Sequence, residues 1–123
     1  MAEKNNSFKD RLSRHREIKL SVIGRKSGRT IPTPVWFVLD GDDLNLLPVY
    51  GSDTQWYKNV LKNPAIRLDA HGAEAELKAI PVNDGKQVKS VVEKFREKYG
   101  AGDVKKYYSK FDVGVVAHLP KSE

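Results

Sequence analysis

With 123 residues, a formal charge of +6 and no cysteine, the chain is long enough to bury one core and too short for several domains. The missing thiols exclude disulfides, thiolate catalysis and Cys-ligated metals, and they suit a reducing, cytoplasmic setting. The apolar runs are too short to cross a bilayer, and none has the layout of a signal peptide.

In chain order, residues 1–6 read as frayed, and Ser7 then caps a short helix with Phe8 and Leu12 on one side. Residues 1–29 hold nine Lys/Arg against three Asp/Glu, while the other 94 residues hold thirteen of each. The excess charge therefore gathers in a basic N-terminal segment, residues 1–16, and in the first turn of a single domain spanning 17–120. An anionic partner is expected at that end. Nucleic acid, an acidic lipid surface touched peripherally, and a phosphorylated or polycarboxylate small molecule all qualify.

Glu17 to Ile23 alternates, with Ile18, Leu20 and Val22 on one face, and reads as a strand. The turn Gly24-Arg25-Lys26-Ser27-Gly28-Arg29 follows. A second strand runs from Thr33 to Asp40, with Pro32 and Pro34 at its start, where a missing N–H costs least. Asp40-Gly41-Asp42-Asp43 is a hairpin turn, and Leu44 to Leu47 is the third strand. Ser52-Asp53-Thr54-Gln55 has the form of a capping box, with Ser52 as N-cap of a helix that ends before Asn63-Pro64. Ala65 to His71 and Ala73 to Pro81 are strands. Asn83 or Asp84 opens a long helix with Val88, Val91, Val92, Phe95 and Tyr99 at helical spacing. Gly100-Ala101-Gly102 breaks it, Asp103 to Lys110 forms another turn or two, and Val113 to Leu119 is the last strand. The fold class is α+β, mainly β, an antiparallel barrel-like sheet with inserted helices.

Three cations and two glycines within six residues make Gly24–Arg29 suited to an anion such as a phosphate, by charge-assisted donors and exposed amides. The rival reading is a solvated basic hairpin turn. His15, His71 and His118 are scattered, so no metal site is expected. No nucleophile elbow, Walker loop or dinucleotide fingerprint is present. The aromatics Trp36, Tyr50, Trp56, Tyr57, Tyr107, Tyr108 and Phe111 offer walls for a planar heterocycle, against ordinary core packing as the alternative. Of the adjacent Tyr107 and Tyr108, a helix turns only one inward. Ser52 and its helix N-terminus, freed by Gly51, add amide donors for an anion or a ring carbonyl.

Together, Gly-Arg-Lys-Ser-Gly-Arg, Thr-Pro-Val-Trp-Phe-Val and Tyr-Gly-Ser-Asp-Thr-Gln-Trp-Tyr-Lys-Asn-Val-Leu-Lys-Asn-Pro resemble the deazaflavin (F420)-dependent nitroreductase family over residues 17–119. The resemblance implies a six-stranded antiparallel split β-barrel, FMN-binding-like, with peripheral helices, acting as a homodimer. It implies a reductase that uses F420, with hydride transfer to a quinone, nitroaromatic or similar electron-poor substrate. On that pattern Arg25, Lys26, Ser27, Gly28 and Arg29 hold the cofactor phosphate. Pro34, Val35, Trp36, Val49, Tyr50 and Gly51 line the ring, Ser52 and Trp56 close the site, and Tyr107 faces substrate. Tyr107 or Tyr50 then donates to a developing oxyanion. Many members carry arginine where this chain has Ile31, which leaves FMN as an alternative cofactor. A non-catalytic carrier of flavin, haem or lipid is the rival from another class. Nucleic-acid binding is disfavoured, since Asp10 and Glu17 interrupt the basic segment and no stacking platform lies beside it.

Overall fold

The structure, a computed structural model, describes residues 2–119, with side chains from Phe8 onward. Helix α1 (Ala2–Arg14) leads into β1 (Glu17–Ile23), β2 (Thr30–Asp40) and β3 (Asp43–Leu46). A 3₁₀ turn, Gly51–Asp53, precedes α2 (Gln55–Lys62), β4 (Ala65–Ala70) and β5 (Ala73–Val82). Helices α3 (Gly85–Tyr99) and α4 (Ala101–Tyr107) then lead to β6 (Gly114–His118). The strands close into an antiparallel barrel in the order β1-β2-β3-β6-β5-β4. This is the six-stranded split barrel with peripheral helices that the sequence led us to expect. Among the described residues, no helix is long and apolar enough to cross a membrane.

Alternation explains the barrel interior. Ile18, Leu20 and Val22 of β1 point inward and meet Leu44, Leu46, Leu68, Val115 and Ala117, all within 3% of full burial. Phe8 and Leu12 of α1 join this core, as do Trp56, Tyr57 and Val60 of α2. A second apolar cluster lies under α3 and α4, where Val88, Val91, Val92, Phe95, Tyr99, Val104 and Tyr108 pack with Leu47 and Val82. The periodic face read from α3 is thus the buried one. Asp84 is its N-cap, accepting from the Gln87 N–H at 3.2 Å.

Three local expectations need correcting. Helix α1 already includes Ala2–Asn6, so Ser7 is not its cap; Met1 and Pro120 lie outside the described residues. Strand β2 begins at Thr30, not Thr33, because Pro32 and Pro34 are accommodated inside it opposite Ser21 and Lys19. Ser52 does not cap α2. Its N–H and hydroxyl bond the Asp112 carboxylate instead, and extended Thr54 precedes the helix, its hydroxyl accepting the Tyr50 N–H at 2.7 Å.

The pairing of β2 shows where the barrel splits. It runs beside β1 from Thr30 to Trp36 but beside β3 only from Phe37 to Asp40. Beyond Leu46 the chain turns away through Pro48, and a gap opens between residues 31–36 and residues 47–56.

Candidate functional site

That gap is a cleft of about 1080 Å³, large enough for a tricyclic ring with a short phosphorylated arm. Ile31, Thr33, Pro34, Val35 and Trp36 form one side, and Leu47, Val49, Tyr50, Asp53 and Thr54 form the other. Trp56, Gln55 and Asn59 of α2 lie along it, Gly24, Arg25, Lys26 and Ser27 reach it from the turn, and Tyr107 and Tyr108 from the end of α4. Of the residues expected in the site, the cleft gathers Arg25, Lys26, Ser27, Pro34, Val35, Trp36, Val49, Tyr50, Trp56 and Tyr107. Gly28, Arg29, Gly51 and Ser52 are not among its lining residues.

Each outsider has a structural task. Gly28 takes φ +71° and donates its N–H to the Gly24 carbonyl at 2.9 Å, which makes the turn tight. The Arg29 N–H bonds the Ser27 hydroxyl at 3.1 Å, and its carbonyl accepts the Gly24 N–H at 2.8 Å. Gly51 is buried at φ +57°, and the space a Cβ would need is filled by the Asp112 carboxylate. The anion-binding device expected at Gly51-Ser52 is therefore already engaged by an internal acid. Partial burial opposes that charge, but Ser52's two donors and Lys110 outweigh it and hold the Asp112 carboxyl below its usual range.

The two lining cations of the turn are held differently. The Arg25 guanidinium bonds Asn59 Oδ1 at 2.8 Å and Gln55 Oε1 at 2.9 Å, and its backbone N–H bonds the same Asn59 oxygen at 3.0 Å. Both partners are neutral, so the arginine is fixed in place without an ion pair among the described residues. Lys26 is exposed and makes no ion pair among the described residues. Sequence reading missed Asn59, which is buried and anchors α2 to the turn. It also missed Glu17, an acid that lines the cleft and pairs with Trp36 in register.

Trp36 is the floor of the aromatic end. Tyr99 stacks on it with ring centroids 4.2 Å apart, and Tyr107 meets it edge-on at 5.5 Å. Tyr107 is 51% exposed, whereas Tyr108 is 5% exposed, and both line the cleft. This is possible because α4 ends at Tyr107 and Tyr108 is extended, at φ −115° and ψ 124°. Burial, then the neighbouring Tyr99, pushes the Tyr108 phenol up, so it remains a proton-bearing group at neutral pH. Among the described residues no cluster of His, Asp and Glu is arranged to hold a metal. The donor set, cationic and amide at one end and aromatic at the other, fits a flat heterocycle carrying a phosphate.

A family model described as "Uncharacterized protein conserved in bacteria (DUF2255)" matches residues 9–113. The chain belongs to the DUF2255 family. No curated protein matches this DUF2255 chain in sequence. Among solved structures, a conserved hypothetical protein, Rv2991 from Mycobacterium tuberculosis, has a TM-score of 0.72 at 19% identity, covering 94% of this chain and 80% of that one. An F420-H2 dependent reductase, FDR-A, has a TM-score of 0.67 at 16% identity, covering 85% and 95%. HutZ, the heme storage protein from Vibrio cholerae, has a TM-score of 0.69 at 14% identity, covering 96% and 90%. At these identities the DUF2255 chain shares the fold with all three. The resemblance to deazaflavin nitroreductases is thus supported at the level of the fold, which an F420-H2 dependent reductase shares, while the family model that matches is DUF2255.

Proposed function

We propose that this DUF2255 protein is an F420-dependent reductase acting, as a homodimer, on a quinone, nitroaromatic or similar electron-poor substrate. One observation carries the reading: the cationic turn and the aromatic wall, far apart in sequence, border a single cleft of the right size. The cofactor, when bound, supplies a hydride from its reduced ring. Lys26 and Ser27 would receive its phosphate, with Arg25 adding charge from its anchored position. Pro34, Val35 and Trp36 would face the ring from β2, and Val49, Tyr50 and Trp56 from the other side. Tyr107, Tyr108 or Tyr50 would donate a hydrogen bond to the oxyanion that develops on substrate, and the apolar walls would exclude water.

FMN is the second reading, favoured by one feature. Ile31 lines the cleft where an arginine stands in many deazaflavin reductases, so the turn offers one phosphate donor fewer than that pattern. A titration of the purified protein with F420 and FMN side by side, followed by absorbance, tests the proposal. The expected result is saturable binding of F420 and oxidation of its reduced form on addition of menadione. Binding without oxidation would make the protein a carrier, and failure of both cofactors to bind would overturn the reading.

A further inference from the structure

The free edge of β2 is unusual in what it presents to the cleft. Strand β2 pairs with β1 so that Lys19 faces Pro34 and Ser21 faces Pro32. Proline has no N–H, so neither can sit in a pair that exchanges two backbone hydrogen bonds. The bonded positions are therefore Ile31, Thr33 and Val35, whose N–H and C=O groups point at β1. The carbonyls of Pro32 and Pro34 point the other way, toward the side that β3 leaves uncovered, since β3 pairs only with Phe37–Asp40. Between residues 31 and 35 this edge carries two carbonyl oxygens and no donor. Among the described residues, no hydrogen bond outside the β-ladders reaches either oxygen. Pro34 itself lines the cleft, between the basic turn and Trp36.

An ordinary strand edge alternates donors and acceptors and invites another strand. This one cannot add a strand, because half of the ladder is missing. Pro32 and Pro34 are exposed, so water serves this edge in the free protein; a ligand that covers it must turn an N–H toward it, because a carbonyl stripped of water and left without a donor is costly. We infer that the backbone carbonyl of Pro34 is a specificity determinant that accepts a hydrogen bond from an imide N–H on the edge of the bound heterocycle. The inference rests on the proposed cofactor class and sharpens it. Flavins and deazaflavins carry such an imide in their pyrimidinedione ring. Haem has iron in place of its ring N–H groups, and a lipid chain has no donor, so neither would satisfy the edge once it was covered.

The test compares FMN with its N3-methyl analogue, which has the same tricycle and phosphate but no imide hydrogen. The purified protein, labelled with proline bearing a ¹³C carbonyl, is titrated with each. FMN is expected to bind at least about tenfold more tightly and to move a labelled carbonyl stretch to lower frequency, a shift that the methylated probe does not produce. Equal affinities would overturn the inference while leaving the proposed function standing. Weaker binding of the analogue with no carbonyl shift for FMN would also overturn it, as steric exclusion alone. If neither probe binds, while F420 does, the same infrared readout on F420 decides: no shift overturns the inference. If no probe of this class binds, the proposed function falls and takes the inference with it.

Discussion

The Trp36 indole lies flat against the Tyr99 ring, 4.2 Å between centroids and 8° between planes. The Tyr99 hydroxyl meanwhile accepts the Phe37 N–H at 3.1 Å and shares its own proton between the Arg16 carbonyl at 2.7 Å and the Phe37 carbonyl at 2.8 Å. Strand β1 ends at this level, so a side chain from α3 takes over its ladder. The same residue that completes the sheet also backs the aromatic end of the cleft. Burial pushes its phenol up to about 12, which keeps the proton in place across the neutral range.

Tyr99→Phe separates these two roles. The ring can still stack on Trp36, but the buried Phe37 N–H loses its partner. The expected cost is about 1–3 kcal/mol, read as a lower urea midpoint with an unchanged slope. Ligand affinity should fall less than stability does. A midpoint equal to that of the parent would mean that the hydroxyl does not sustain the ladder.

Lys26 and Arg25 should behave differently although they are neighbours in one turn. Lys26 is solvent-exposed, so Lys26→Ala should leave the melting temperature unchanged while weakening FMN or F420 binding by roughly 10–100-fold, the worth of one charged hydrogen bond. Arg25→Ala removes two hydrogen bonds to Asn59 and Gln55 and should lower both melting temperature and affinity. Calorimetry with fluorescence titration distinguishes the two patterns. Undiminished affinity in Lys26→Ala would reject its phosphate role.

Local periodicity made most of the fold legible. The alternation Ile18, Leu20, Val22 and the helical spacing Val88 to Tyr99 each reflect one buried face, and a buried face is written in adjacent residues. The glycine-flanked turn was legible for the same reason. What remained hidden depends on residues distant in the chain. Nothing near Ser52 signals that Asp112, sixty positions on, would take its donors and displace the capping box. Asn59 reads as one more polar helix residue until Arg25 is seen beside it. Of the pair Tyr107 and Tyr108 one is buried and one exposed, as their adjacency predicts; that both still reach the cleft was not legible, because it depends on α4 stopping between them.

Gly51 and Gly41 both have positive φ, at +57° and +63°, yet their substitution should differ. Around Gly41 a Cβ meets nothing, whereas at Gly51 it would collide with the Asp112 carboxylate and the Lys110 stem. Gly41→Ala should cost about 1–2 kcal/mol for the left-handed backbone alone. Gly51→Ala should cost about 2–4 kcal/mol, strain plus overpacking, and should disturb the adjoining Tyr50. Adding Asp112→Ala to Gly51→Ala frees that space and should recover part of the loss. Strict additivity of the two changes in chemical denaturation would contradict this account of the collision.

Lys98 gives the clearest pH dependence. Its Nζ lies 3.6 Å from the Phe37 ring centroid and donates to the Phe37 carbonyl at 2.8 Å. Burial of the ammonium, reinforced by repulsion from Arg16, lowers its pKa to about 8, against about 10.4 for a free lysine. Below the lower value both folded and unfolded chains are protonated there, and the folded state bears the full desolvation penalty. Between the two values the unfolded chain binds more protons, so stability rises with pH. The rest of the side chain is exposed, and solvent screening makes the rise smaller than the shift alone would suggest. Lys98→Met removes this titration and keeps the apolar stem over Phe37. The stability difference, parent minus variant, should therefore increase from about pH 7.5 to about pH 10, with other titrating groups cancelling. Urea unfolding of both proteins across that range measures it, and a difference that stays flat or falls would show that the Lys98 ammonium is not destabilised by its seat on Phe37.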